Sequence, residues 1–193
     1  MPLNPPALAS GFLAPNLSAT GNVGTSVPMF CLGIAIGVCQ YLTVEAKVMT
    51  VDVGTLGAGT GIAPLLVPNA LVLTSLMTGF ASVGFIGVMA PKVIAGLATG
   101  LASGWTALAL LQTIHPSVGV GTGVARIVGP SAVTAMIQGF AAAGMTGDGP
   151  AKMARALGTG IDMTFASFIQ PGLPIVGAGS PVGSAGTGFG TVL

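Results

Sequence analysis

"TGFASVGFIGVMAPKVIAGLATGL" (residues 78–101) and "QGFAAAGMTGDGPAKMARALGTGI" (residues 138–161) carry one pattern twice. Gly79, Phe80, Gly84, Gly87, Lys92, Leu97 and Gly100 return as Gly139, Phe140, Gly144, Gly147, Lys152, Leu157 and Gly160, each pair 60 residues apart. The N-terminal third joins at an offset of 63. There Gly21, Gly24, Pro28, Gly33 and Gly37 fall on Gly84, Gly87, Pro91, Gly96 and Gly100. Further along, "GAGTG" (57–61), "GVGTG" (119–123) and "SAGTG" (184–188) close the three copies, with Pro68 and Pro130 following the first two. Periods of this size mark tandem supersecondary units whose apolar faces need neighbours.

The expected fold is therefore mainly α: three tandem helix–turn–helix repeats of about 60 residues with Gly-rich loops. The units run over 1–68, 69–130 and 131–193, the last with a Gly-rich C-terminal tail, and together form one structural domain. Spacing alone leaves open whether they stack in a row or close around a pseudo-threefold axis. Long helices are placed near 29–47, 92–114 and 151–169, and short ones near 69–79 and 131–143. A first short segment near 7–13 is bracketed by Pro5, Pro6 and Pro15, which argues against a helix there. Asn69 and Ser131 stand just before apolar runs as N-caps. Pro116 and Pro171 should stop the second and third long helices. "TVDVGTLGAGTG" alternates weakly and could form a short strand.

Small residues recur at four-residue spacing on the long helices: Gly33 and Gly37, then Gly96, Gly100 and Gly104, then Ala156 and Gly160. Such a stripe lets backbones touch, and it is best known from membrane helices. The three long helices are expected to meet one another, or their equivalents in another copy, along this face. Leucine at position 100 is then expected to abolish assembly.

Composition sets the environment. Charged residues make up 5% of the chain and hydrophobic ones 52%, with mean hydropathy +0.93. A free globule carries about 25% charged residues to keep its surface soluble. Most of this surface must therefore face lipid or other protein. Nucleic acid is excluded as a partner, because Lys47, Lys92, Arg126, Lys152 and Arg155 are dispersed and the net charge is +1. The N-terminus has no positive leader before its apolar residues and makes a poor signal peptide.

Between lipid and protein, protein is favoured. Charge-free runs do exceed the roughly 20 residues that span a bilayer, but the short helices fall well below that length. Lys47, Lys92 and Arg126 lie in successive loops and give no positive-inside bias. Tyr41 and Trp105 sit mid-helix and make no interfacial belt.

Chemistry is sparse. The glycine boxes lack the lysine and the strand–turn–helix context of phosphate-binding loops, so neither a nucleotide nor any other cofactor is expected. One histidine rules out a metal cluster. His115 is expected to cap carbonyls at a helix C-terminus, Asp148 to satisfy donors at a helix start, and Asp162 to pair with Arg155 or a neighbouring subunit. Cys31 and Cys39 lie eight residues apart on one helix, roughly 12 Å by its rise, too far for a disulfide, and read as buried free thiols. No residue is assigned to catalysis, and the chain is not expected to be an enzyme.

The "GFxxxGxxG" and "VGVGTG" boxes, the proline-broken start "LNPPALASGFLAPNL" and the tail "PIVGAGSPVGSAGTGFG" resemble small hydrophobic, glycine-rich virion structural proteins of tailed bacteriophages. That resemblance, of texture over most of the chain, implies a tail, baseplate or neck component present in several copies, buried among other virion subunits with its tails threaded into them. The alternative reading is a small integral membrane protein, pore-forming or holin-like. A binder of small apolar ligands between helices is a third class.

Overall fold

The computed structural model describes the backbone of residues 4–45, 47–55, 58–63, 65–85, 87–108, 110–115, 119–125, 127–128, 132–169, 173–179 and 185–192. Side chains are described over 4–44, 67–85, 87–105 and 132–164, a body that is helices and the turns between them. The fold is mainly helical, as expected.

The chain enters as α1 (Pro5–Leu8), a π-helical turn (Ala9–Leu13) and α2 (Ala14–Ala19). The prolines that argued against a helix at 7–13 instead open one. Pro5 and Pro6 stand in the first turn, where no amide donor is needed, and Asn4 caps it by accepting from the Ala7 amide at 3.4 Å. Pro15 opens α2 in the same way.

The remaining helices are α3 (Val27–Gln40, continued by a π-helical turn Tyr41–Glu45), α4 (Asn69–Ser82), α5 (Ala90–Leu108), α6 (Ala132–Ala142) and α7 (Asp148–Ile169). Each packs on the next in sequence, and the N-terminal segment lies between α7 and α3. The helices thus follow one another round a closed circuit.

Three turns join short helix to long helix with the same hydrogen bonds. Gly21, Gly84 and Gly144 hold φ of 82°, 68° and 75°, the left-handed region open to glycine. In each turn the residue after the glycine donates five residues back. Asn22 bonds Leu17 O, Phe85 bonds Phe80 O and Met145 bonds Phe140 O, at 2.9–3.0 Å. The glycine amides bond Ser18, Ala81 and Ala141 O, completing the paired bonds of a Schellman cap at each turn.

Beyond the long helices the backbone forms β1 (Lys47–Thr55), β2 (Ala58–Ala63), β3 (Leu65–Leu66), β4 (Leu110–His115), β5 (Gly119–Ala125), β6 (Ile127–Val128), β7 (Leu173–Gly179) and β8 (Ala185–Val192). They join in an antiparallel sheet of order β5-β7-β8-β1-β2-β4-β6, with β3 on β1. β4 also lies beside β5, so the run curls back toward its own start. At three junctions the glycine boxes sit in matching register: Gly61 faces Thr113, Gly123 faces Ile175 and Gly188 faces Thr50.

The segments read as Gly-rich loops are thus strands. Their glycines alternate, which is the two-residue period of a strand, and each box pairs with a neighbouring strand. The helix expected over 92–114 ends at Leu108, and "LLQTIH" turns into β4, since a short apolar run suits either state. His115 consequently pairs in the ladder with Gly59 and caps no helix. α7 ends at Ile169, before Pro171. Pro116, Pro130, Pro171 and Ser131 lie outside the described residues. Asn69 is the first residue inside α4, whose cap position is Pro68; its side-chain amide donates to Thr99 Oγ1 of α5 at 3.5 Å.

The core is built of matched aromatic and aliphatic groups. Phe30, Phe80 and Phe85 form a tilted triad with ring centres 5.4–5.6 Å apart. Tyr41 and Trp105 stack at 5.3 Å and 12°, both fully buried.

Candidate functional site

Close contacts between helices are the first feature that the described residues build. The seam residues come first. A side chain on Gly79 of α4 would strike Gly33 O and come within 2.6 Å of Gly37 N on α3. Gly139 of α6 stands in the same way against Gly96 O and the Gly100 backbone of α5, with Gly100 N at 2.5 Å. Reciprocally, a Cβ on Gly37 would lie 2.7 Å from Leu76 Cα, and one on Gly100 would lie 2.9 Å from Met136 Cα. Gly104 faces Ala135 and Ala132 of α6 more loosely, at 3.4 and 3.6 Å. On α7, Gly160 faces Phe12 O and Leu13 of the N-terminal segment, at 3.0 Å, and Ala156 is buried.

The long helices therefore do not meet one another along this stripe. Each receives a short helix: α4 in α3, α6 in α5, and the N-terminal segment in α7. A short helix whose own contact residue is Gly79 or Gly139 fits the groove closely, whereas a second long helix would bring side chains into it. Gly158, absent from the stripe read in sequence, meets Val133 Cα of α6 at 2.6 Å on another face of α7. Its four-residue phase differs from that of Gly160, which is why the stripe missed it.

The turns between short and long helices gather at one end of the body, and that end is apolar. Val23 is 74% exposed and Val88 95%, and Met29 and Met89 are about half exposed beside them. Beside the first of these turns lies a pocket of about 240 Å³ lined by Leu17, Val27, Phe30, Phe85, Val93 and Met153, with Asn22 and Ser26. Phe30, Val93 and Met153 are separated by the offsets of 63 and 60 found in the sequence. Those offsets could have identified the pocket, because residues at one position of three repeats must converge if the repeats close on themselves. A second apolar groove, about 320 Å³, runs between α4 and α5 past Leu73, Met77, Phe85 and Ile94.

Two aspartates stand at helix starts. Asp148 opens α7. Asp162 Oδ1 accepts from the Ala132 amide at 2.8 Å, so this carboxylate on α7 caps the start of α6. An opening helix offers unsatisfied donors in a fixed direction, and this carboxylate meets one of them. Among the described residues no three His, Cys, Asp or Glu side chains come together as a metal site would need.

Cys31 and Cys39 are free and buried on α3, and desolvation pushes both thiols up to about 11 from 9.0. The unfolded chain loses these protons first, so their contribution is intact below about pH 9 and shrinks as pH climbs toward 11. Urea midpoints should fall across that window in the wild type. They should fall less in the Cys31→Ala/Cys39→Ala variant, and equal slopes would refute the assignment.

No protein-family model, curated protein or solved structure matches this chain.

Proposed function

We propose that the chain is a non-enzymatic structural subunit of a large protein assembly, a virion of the tailed-bacteriophage kind at its tail, baseplate or neck. It is built as three tandem units closed around a pseudo-threefold axis. Each unit is a short helix, a glycine turn, a long helix and two longer strands. The closure is supported by the helix circuit, the three identical turns, the convergence of Phe30, Val93 and Met153, and the equal strand register at three junctions.

The observation that carries the assembly reading is the apolar end. Val23, Met29, Val88 and Met89 stand exposed together on a chain with nine charged side chains, a surface that calls for protein cover. The role asked of the chain is shape: no cofactor, metal or nucleic acid enters it.

The membrane reading rests on Val27–Val44, which is long and apolar enough to cross a bilayer. In the fold that segment is packed by α4 and by the N-terminal helices, and 56% of it is buried inside the chain. A helix with one groove filled by a short partner is what a protein core requires.

Detergent-free particles purified on a density gradient should contain this chain in several copies by mass spectrometry. Recovery only in the detergent-extracted membrane fraction would overturn the proposal in favour of a small membrane protein.

A further inference from the structure

One junction of the helix circuit differs from its two counterparts. In sequence α3 leads to α4 and α5 to α6 through their strands, whereas α7 meets a segment 147 residues earlier. The three junctions use equivalent positions: Gly37 on Leu76, Gly100 on Met136 and Gly160 on Leu13, related by the offsets of 63 and 60. A Cβ on Gly37 or Gly100 would lie 2.7 or 2.9 Å from the facing Cα, but one on Gly160 would lie 3.3 Å from Leu13 Cα. The sequence accounts for the wider gap. Asn16 stands where the offsets place Gly79 and Gly139, and Ala156 where they place Gly33 and Gly96. Glycines that admit a facing main chain are thus replaced by residues with side chains, which hold the backbones apart. Asn16 donates within its own segment to Phe12 O at 2.7 Å, and its contact with α7 is Met163 Sδ at 3.5 Å, a weak acceptor. The segment is also broken: α1, the π-helical turn and α2 hold 4, 5 and 6 residues, against 14 in α4 and 11 in α6.

We infer that the helix circuit opens at this junction before its other two: residues 4–19 act as a latch that leaves α7 and stays on α3. Opening α3–α4 or α5–α6 would separate backbones in direct contact, whereas the latch parts across side chains. The segment keeps its packing on α3 and the turn through Gly21. The ladder of β1 on β8 keeps the first and third units joined while the latch is open. Opening uncovers Leu13, fully buried in the closed body, together with the Ala156 and Gly160 face of α7. Local opening of this kind draws on the least tightly packed contacts of a fold, and it gives the chain a second state without loss of its other helix pairs.

The test is thiol labelling of the whole chain under native conditions. Leu13→Cys, Leu76→Cys and Met136→Cys each place one thiol at an equivalent, fully buried site, in the Cys31→Ala/Cys39→Ala background. The thiol at position 13 should react at least about tenfold faster than the other two. Amide exchange of the unsubstituted chain should likewise rank residues 12–19 ahead of α4 and α6, and it decides the matter if Leu13→Cys itself loosens the junction. Restoring glycine with Asn16→Gly and Ala156→Gly should slow labelling at position 13. A merely frayed end would label faster in that variant, because glycine weakens a helix. Equal rates at the three positions, a faster rate at 76 or 136, amides of 12–19 no faster than those of α4 and α6, or unslowed labelling in the glycine-restored chain would each overturn the inference. None of these outcomes bears on the chain's place in a particle, so the proposed function would stand.

Discussion

Gly100→Leu should prevent folding of the isolated chain, and not merely its association. A Cβ at this position would already lie 2.9 Å from Met136 Cα and 3.2 Å from Ala135 O, so a leucine must push the whole of α6 away. Overpacking by a few methylenes costs about 1–3 kcal/mol where side chains can yield. Here the opposing atoms are backbone, and α5 and α6 form the most extensive helix pair in the chain. Total stability for a domain is only about 5–15 kcal/mol, so separating this pair removes a large share of it. Circular dichroism and gel filtration should report an expanded, poorly cooperative chain. A variant that melts within a few degrees of wild type would show that the seam tolerates separation.

Phe80→Ala should be the most damaging truncation in the aromatic core. The ring is 1% exposed, meets Phe30 at 5.6 Å and Phe85 at 5.4 Å, and leans against the position of Gly33. Removing it leaves a cavity bounded by two other rings and by a helix that cannot close up, because the Gly79 contact already fixes the separation of α3 and α4. Large-to-small changes of this kind cost about 3–5 kcal/mol. Phe80 also accepts the Phe85 amide that locks the turn, and alanine preserves that backbone bond. The loss should therefore appear as a lower denaturation midpoint with the helix content of the folded state retained. A loss below about 1 kcal/mol would mean that Phe30 and Phe85 collapse onto each other.

The helices were legible because their cause is local. Four-residue spacing of small residues and apolar runs bounded by glycine and proline located five helices to within a few residues at most of their ends. The turn glycines 21, 84 and 144 aligned in sequence because each needs the same φ. Three features escaped. The N-terminal helices were hidden by prolines that, at first-turn positions, favour the element they were held to break. The sheet was hidden because β2, β5, β7 and β8 carry alternating glycines, which give no hydrophobic signal, and because the pairing of most strands is set by residues distant in the chain. The partner of each seam was hidden because a stripe of glycines states that something approaches closely without stating what. Gly79 and Gly139 held that answer, since each meets main-chain atoms of the facing long helix, yet in sequence they read as mere members of the repeat.

The cap made by Asp162 and the place of His115 escaped for a related reason. Asp162 lies thirty residues from the amide it caps, and nothing between them in sequence ties the two together. His115 depended wholly on where a helix stopped. Each is a case where a residue's role follows from the neighbour that tertiary structure supplies.

The Gly79 and Gly139 contacts also bear on how this chain can vary. Where two side chains press together, enlarging one is often relieved by trimming the other, and lineages drift through such paired exchanges. At these contacts the opposing atoms are main-chain oxygen and nitrogen, and glycine is already the smallest residue on both sides. No compensating exchange exists. A second change elsewhere in the groove should fail to rescue a substitution at either glycine, so these sites are closed to drift while the surfaces around them remain open to it.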